Sequence, residues 1–185
     1  MSQDAPRQEA PQPPDLARPD LAWPDLAGRF DGRIHRLGIR IYYEDTDFSG
    51  VVYHANYLRF AERGRSDFLR LAGIGHRELM EADRPLAFAI HKMELSFLVP
   101  ARIDDVLEVA TVYRAARGAR IEAEQVIYRR EPGGDGAELV RTPLFRAVVR
   151  AACIDTEGRP QRMPKPVVEG LAPYLAPTEA EATLP

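Results

Sequence analysis

Apolar positions recur at two different periods along this chain. The stretch from about Arg33 to Tyr43 is strand-like, with β-branched and aromatic residues at Ile39, Ile41, Tyr42 and Tyr43, and it predicts a first strand. Further on, Tyr57, Phe60, Ala61, Gly64, Phe68 and Leu71 fall at helical spacing, which predicts a long helix to about Ala72. Asn56 is placed to cap its start, and Gly73 and Gly75 to stop it. Glycine inside a helix costs about 1 kcal/mol relative to alanine, so Gly64 implies close approach of this helix to a sheet. His76 to Ala82 reads as a short second helix. Four long runs then read as strands, Leu86 to Leu98, Val106 to Arg117, Ala119 to Arg130 and Leu139 to Ile154. In the second of these, Leu107, Val109, Thr111 and Tyr113 alternate with Glu108, Ala110, Val112 and Arg114, which predicts one face more buried than the other. Gly118 and the cluster Gly133-Gly134-Asp135-Gly136 supply turns for antiparallel pairing.

One strand, one long helix and four strands give an α+β fold, in which a curved antiparallel sheet of about five strands wraps a central helix. The chain has 185 residues, 45% of them hydrophobic, enough for one domain and its core. That domain is expected over residues 33–168. Before it, residues 1–32 carry a five-residue repeat, Pro14-Asp15-Leu16-Ala17, Pro19-Asp20-Leu21-Ala22 and Pro24-Asp25-Leu26-Ala27. Proline at every fifth position forbids a continuous helix, and one leucine per unit builds no core, so a disordered tail is expected, with Trp23 as its one large anchor for a docking contact. Coil is expected over the proline-rich stretch Arg159 to Pro166. Residues 169–185 are read as the rest of a short helix around Val167 to Leu175, followed by a frayed end from Pro177.

A net charge of -3 supplies no large positive field, which argues against a general nucleic-acid binder or a polybasic membrane anchor. No stretch of about 20 apolar residues predicts a transmembrane helix, and the start of the chain lacks a basic-then-apolar leader, so a cytoplasmic protein is expected. Cys153 stands alone in an apolar run, which excludes an intramolecular disulfide and a cysteine-rich zinc site and reads as a buried hydrophobe. His35, His76 and His91 show no metal-ligand spacing. There is no phosphate-binding glycine loop ending in Lys-Ser or Lys-Thr, and no Gly-x-Ser-x-Gly elbow.

The chemistry concentrates between the first strand and the helix. Tyr43-Glu44-Asp45-Thr46-Asp47, Gly50-Val51-Val52-Tyr53-His54-Ala55-Asn56-Tyr57-Leu58 and Phe60-Ala61-Glu62-Arg63 resemble the 4-hydroxybenzoyl-CoA thioesterase family of hotdog-fold enzymes, in particular its Tol-Pal-associated acyl-CoA thioesterase branch. Phe48-Ser49 departs from the smaller residues usual there. The resemblance implies a hotdog fold and hydrolysis of an acyl-CoA thioester, or of an acyl-carrier-protein thioester. CoA enters as part of the substrate and no other cofactor is expected. It also implies a homodimer or homotetramer with active sites at the subunit interface. A thioester is already electrophilic, so a carboxylate and N–H donors for the oxyanion suffice. Asp47 is the candidate nucleophile or general base, and the backbone N–H groups of Tyr53 and His54 are the candidate donors, aided by the helix dipole. The His54 ring is a candidate acid or positioner and Tyr43 a candidate donor. Gly50, Val51, Val52, Tyr53 and Glu62 are expected to line the substrate. Arg102, Arg159 and Arg162 are candidates for the CoA phosphates. Glu44 and Asp45 are expected in solvent or in ion pairs.

Two other classes fit less well. A hotdog protein that binds an acyl-carrier protein or envelope partner without catalysis would keep its function in Asp47→Asn, and the hydratase branch carries an Asp and His signature in a different form. Asp45, Asp47, Ser49 and Gly50 match four positions of an EF-hand loop, but position twelve falls on Asn56, which lacks the bidentate carboxylate.

Overall fold

The computed structural model describes residues 26–132, 140–178 and 182–184. In chain order the elements are β1 (Arg29–Asp31), β2 (Ile34–Arg40), a 3-10 turn (Tyr43–Asp45), α1 (His54–Leu71), α2 (His76–Glu81), β3 (Ala87–Phe97), β4 (Val106–Arg117), β5 (Arg120–Glu131), β6 (Val140–Ile154), α3 (Lys165–Leu171) and a closing 3-10 turn (Ala172–Tyr174). Six strands, rather than about five, form one antiparallel sheet in the order β1-β2-β4-β5-β6-β3. The additional strand, β1, lies within the stretch expected as tail and pairs Phe30 with His35. The first strand ends at Arg40 rather than Tyr43, because Tyr43–Asp45 winds into the 3-10 turn. The repeat units before residue 26 and the turn expected at Gly133 to Gly136 lie outside the described residues.

Helix α1 lies across one face of this sheet. Its buried side carries Tyr57, Phe60, Ala61, Gly64 and Phe68, the helical stripe of the sequence. At Gly64 the backbone approaches β4 so closely that a Cβ there would stand 2.7 Å from Val109 Cγ1 and 3.1 Å from Thr111 Oγ1. Beside it, buried Gln125 of β5 donates to Ala61 O (2.8 Å) and Thr111 Oγ1 (2.9 Å), and accepts from Arg65 Nη1 (2.6 Å). These bonds tie helix to sheet where no side chain fits between them. Gly64→Val is expected to destabilise the fold by about 1–3 kcal/mol through overpacking, read as a lower urea midpoint with an unchanged slope.

Toward the far end of α1, buried Asp67 holds three groups. Its carboxylate accepts from His35 Nε2 at 2.8 Å and from the Gly28 N–H at 2.7 Å, and it also pairs with Arg70. His35 of β2 is fully buried against α1, with Nδ1 unpaired. Burial would raise the Asp67 pKa, but the hydrogen bonds of His35, Arg70 and Gly28 outweigh it and hold the group at about 2. A carboxylate with a depressed folded-state pKa contributes stability above its unfolded value and loses it as pH falls toward the folded value. The contribution is about 2 kcal/mol at neutral pH. Asp67→Asn is therefore expected to melt earlier at neutral pH, and its deficit against wild type should shrink as pH is lowered from about 4 toward about 2.

The packing of β4 departs from the expected one-sided pattern, since Leu107 to Arg114 are buried on both faces. Leu107, Val109 and Tyr113 face α1, whereas Ala110 and Val112 lie under Ala176, Ala182 and Leu184. The C-terminal stretch is thus part of the packed body where described, and not a frayed end. The boundary expected at residue 168 also falls inside α3, which sends Val167 and Leu171 into the core. Cys153 is buried in that same core, as its apolar surroundings predicted.

Candidate active site

The loop from Thr46 to Tyr53 closes on itself before α1 begins. Thr46 and Val52 form an isolated antiparallel bridge, Asp47 N donates to Val51 O (2.9 Å), and Gly50 N donates to Asp47 O (3.0 Å). Gly50 takes φ of 76°, a left-handed turn position that favours glycine. Within this turn Asp47 Oδ1 accepts from both Ser49 N (2.8 Å) and Ser49 Oγ (2.5 Å). The Ser49 hydroxyl and backbone bonds, with smaller help from the Val51 backbone and the His54 charge, hold the exposed Asp47 carboxyl below its ordinary value despite slight desolvation. Asp47 is therefore an ionised carboxylate throughout the neutral range.

The loop is folded back on the start of α1. Asp45 O accepts from Tyr53 N (3.0 Å) and from Asn56 Nδ2 (2.9 Å), and Arg59 Nη1 donates to Asn56 Oδ1 (3.2 Å). On the other side, Val52 N donates to Ala101 O (2.9 Å), while Ala101 N donates to the hydroxyl of buried Tyr57 (2.7 Å). The amides of Val52 and Tyr53, like those of Asp47, Ser49 and Gly50, are thus engaged. The Tyr53 N–H, expected as an oxyanion donor, belongs to Asp45. The opening helix amides of His54 and Ala55 have no intrahelical acceptor and carry the positive end of an 18-residue helix. An ionised carboxylate and open amide donors stand in adjoining segments, the pair that acyl transfer from a thioester requires.

Comparison with known proteins places this fold. Residues 42–171 match the thioesterase-like superfamily. The chain belongs to that superfamily. Acyl-CoA thioester hydrolase YbgC of Escherichia coli O6:H1 is 38% identical over 136 residues, covering 73% of this chain and 93% of that protein. A probable thioesterase from Bartonella henselae, solved by crystallography, is 41% identical with a TM-score of 0.63 over 71% of this chain and 99% of its own. A mutant 4-hydroxybenzoyl CoA thioesterase crystallised with 4-hydroxybenzoyl CoA shares the fold, with 22% identity and a TM-score of 0.65 over 75% of this chain and 98% of its own. The hotdog architecture expected from the loop and helix is that of these relatives.

Within this thioesterase-like fold the expected site residues divide. Asp47, Gly50, Val51, Val52, Tyr53 and His54 share the loop and helix start, but Val52 is buried with Ile41 and Tyr57 and serves the core. The His54 ring is exposed, 4.4 Å from the Tyr53 ring centroid and 6.4 Å from that of Phe97 at the end of β3. Tyr43 is 83% exposed on the 3-10 turn rather than in a strand. Glu62 lies two turns along α1, about 12 Å from the helix start, where it accepts from Ser66 Oγ (2.5 Å). It borders a cavity of about 110 Å³ between α1 and the sheet, lined by Leu69, Phe88, Tyr113 and Val149. The Tyr43 carbonyl accepts from Thr46 N (3.2 Å) and Thr46 Oγ1 (2.9 Å) at the start of the Asp47 loop, whereas the Glu62 carboxylate bonds within α1. Arg102 follows the Ala101 clamp, whereas Arg159 and Arg162 lie beyond β6, at the opposite end of the sheet.

Asn56, expected as the cap of α1, is instead its third residue and ties the helix to Asp45; Tyr53 holds the capping position. Asp45 turns its own carboxylate to the Tyr42 N–H (2.9 Å), away from the partners of Asp47. Ser49, Ala101 and Tyr57 were not singled out by sequence reasoning as parts of the site. Only Ser49 carried a local signal, since Asp-x-Ser is the spacing of a side-chain-closed turn. Among the described residues no helix is long and apolar enough to cross a membrane, and no group of three or more His, Cys, Asp or Glu could hold a metal ion.

Proposed function

We propose that this chain hydrolyses an acyl-CoA thioester to the free acid and CoA, with Asp47 as the reacting carboxylate. The observation that carries the reading is the ionised Asp47, fixed by Ser49 in a turn that folds back on the open amides of α1. In one route an Asp47 oxygen attacks the carbonyl carbon, the thiolate leaves, and water hydrolyses the resulting anhydride. In the other, Asp47 takes a proton from the water that attacks. Both consume one water and return a carboxylic acid and a thiol. The amides of His54 and Ala55 receive the developing oxyanion, and the His54 ring stands ready to protonate the leaving thiolate. The decisive assay is thiol release from short aliphatic, long aliphatic and aromatic acyl-CoAs. Release from at least one class is expected; a folded protein that turns over none of them, nor an acyl-carrier-protein thioester, would leave a binding protein.

The active unit is a homodimer in this reading. Asp47 lies exposed on the single chain, with Tyr43, Phe48 and Tyr53 exposed around it. β3 is an edge strand of 11 residues with exposed Ile90, Leu95 and Phe97, an edge that a second copy would cover. Association with the Tol-Pal system is carried by the resemblance of the loop and helix.

A further inference from the structure

Arg65 is a half-buried cation without a counterion. Its Nη1 donates to buried Gln125 Oε1 (2.6 Å), a neutral acceptor, and no carboxylate pairs with it among the described residues. Glu62, the one acid on the wall of the cavity between α1 and the sheet, is exposed and accepts from Ser66 Oγ instead (2.5 Å). Tyr113 supplies no negative charge either. It is 3% exposed, burial raises the pKa of its hydroxyl, and that hydroxyl makes no hydrogen bond among the described residues. Burial likewise pulls the Arg65 pKa down, offset only in part by Tyr113 and Glu62, yet a guanidinium stays charged in the neutral range. Both groups line the cavity of about 110 Å³, whose other walls are chiefly apolar. That is room for several water-sized groups, each of which needs about 10–15 Å³. A desolvated charge left with a neutral partner is costly, so the cavity holds unused donors for an anionic oxygen.

An apolar track joins this cavity to the start of α1. Phe97, Leu95, Met93, Ile90 and Phe88 of β3 pair in turn with Phe145, Ala147, Val149, Ala151 and Cys153, core residues on the α1 side of the sheet. The bulge after Ile90 shifts the inward positions from odd to even numbers and so keeps the track continuous. Ile90, Leu95 and Phe97 are exposed along it. Phe97 stands beside the His54 ring at one end, and Phe88 and Ile90 line the cavity at the other. Along α1 the run from His54 to Arg65 is about 16 Å. We propose, resting on the acyl-CoA reading of the site above, that Arg65 and Tyr113 select acyl groups that carry a carboxylate at their far end, about 16 Å from the thioester. The chain of such a group lies along the β3 track, and its carboxylate accepts from the Arg65 guanidinium and the Tyr113 hydroxyl. A methyl end at the same place would leave the guanidinium desolvated and unpaired.

The test is calorimetric binding of uncleavable thioether analogues of acyl-CoA to the full chain, in pairs of equal length that end in methyl or in carboxylate. At about 16 Å the carboxylate-ended analogue is expected to bind about tenfold tighter or more, the range for hydrogen bonds to a charged group. At half that length the order should reverse, because the charge is then stranded on the apolar track. Arg65→Met should abolish the preference at full length. Should that variant fail to fold, Tyr113→Phe, which removes one oxygen, takes its place and should narrow the preference. Equal or weaker binding of the long carboxylate-ended analogue to the wild type would overturn the proposal, as would an undiminished preference in the folded variant. Binding of neither analogue would remove acyl-CoA as the ligand and the proposal with it. Because the analogues cannot be cleaved, the ratio is independent of whether Asp47 is the reacting carboxylate.

Discussion

Replacing Asp47 by asparagine is expected to lower thioester hydrolysis by about 10²–10⁴-fold, the range for losing an acid–base or nucleophilic group, with no change in thermal melting. The amide oxygen of asparagine can still accept the Ser49 N–H and hydroxyl bonds that Asp47 Oδ1 accepts, so the turn keeps its shape. What is lost is the negative charge that attacks or takes a proton. Steady-state thiol release compared with a melting curve separates the two effects; wild-type rate in the folded variant would remove Asp47 from the mechanism. His54→Ala run beside it divides the roles of one position. A loss much smaller than that of Asp47→Asn assigns His54 chiefly to its backbone amide, and an equal loss assigns its ring to proton transfer. Because the Asp47 carboxyl is held below its ordinary value, the acid limb of the rate profile is expected beneath the usual carboxylate range.

Phe68→Ala is expected to cost about 3–5 kcal/mol of stability, the range for a large aromatic removed from a core. Phe68 is fully buried and joins four elements through its ring. It stands edge-on to Phe30 of β1 (4.9 Å between centroids), Tyr113 of β4 (4.6 Å) and Tyr174 of the final 3-10 turn (5.8 Å). Truncation would leave a void bounded by rigid rings, which collapse poorly into it. The first consequence should be loosening of β1 and α3, measured as amide exchange, before the active-site loop is disturbed. That loop hangs on a separate core of Ile41, Val52, Tyr57 and Ala101. A variant that loses less than about 1 kcal/mol would mean that the site relaxes and refills.

Much of the fold was legible because its signals are local. The strand Val106–Arg117 was read with its observed bounds, since Gly118, whose φ of 63° makes the turn into β5, closes the run. Gly64 announced the close approach of α1 to the sheet, and Val109 and Thr111 stand against it. β1 was missed because three residues make no period. It exists through bonds to residues far along the chain, Gly28 to Asp67 and Phe30 against Phe68. The C-terminal stretch was read as a frayed end for the same reason, since its described residues acquire partners through Arg114 and the outer faces of β4 and β5.

The candidate site divides along the same line. By itself the sequence determined the carboxylate loop, the glycine turn and the helix that follows, because the residues that shape them are contiguous. Tertiary structure alone decided which amides remain open. The Tyr53 N–H is taken by Asp45, and Val52 is held by Ala101, which in turn is held by Tyr57. A backbone donor is written identically at every residue, so only the position of a distant acceptor decides whether it is left to meet a substrate.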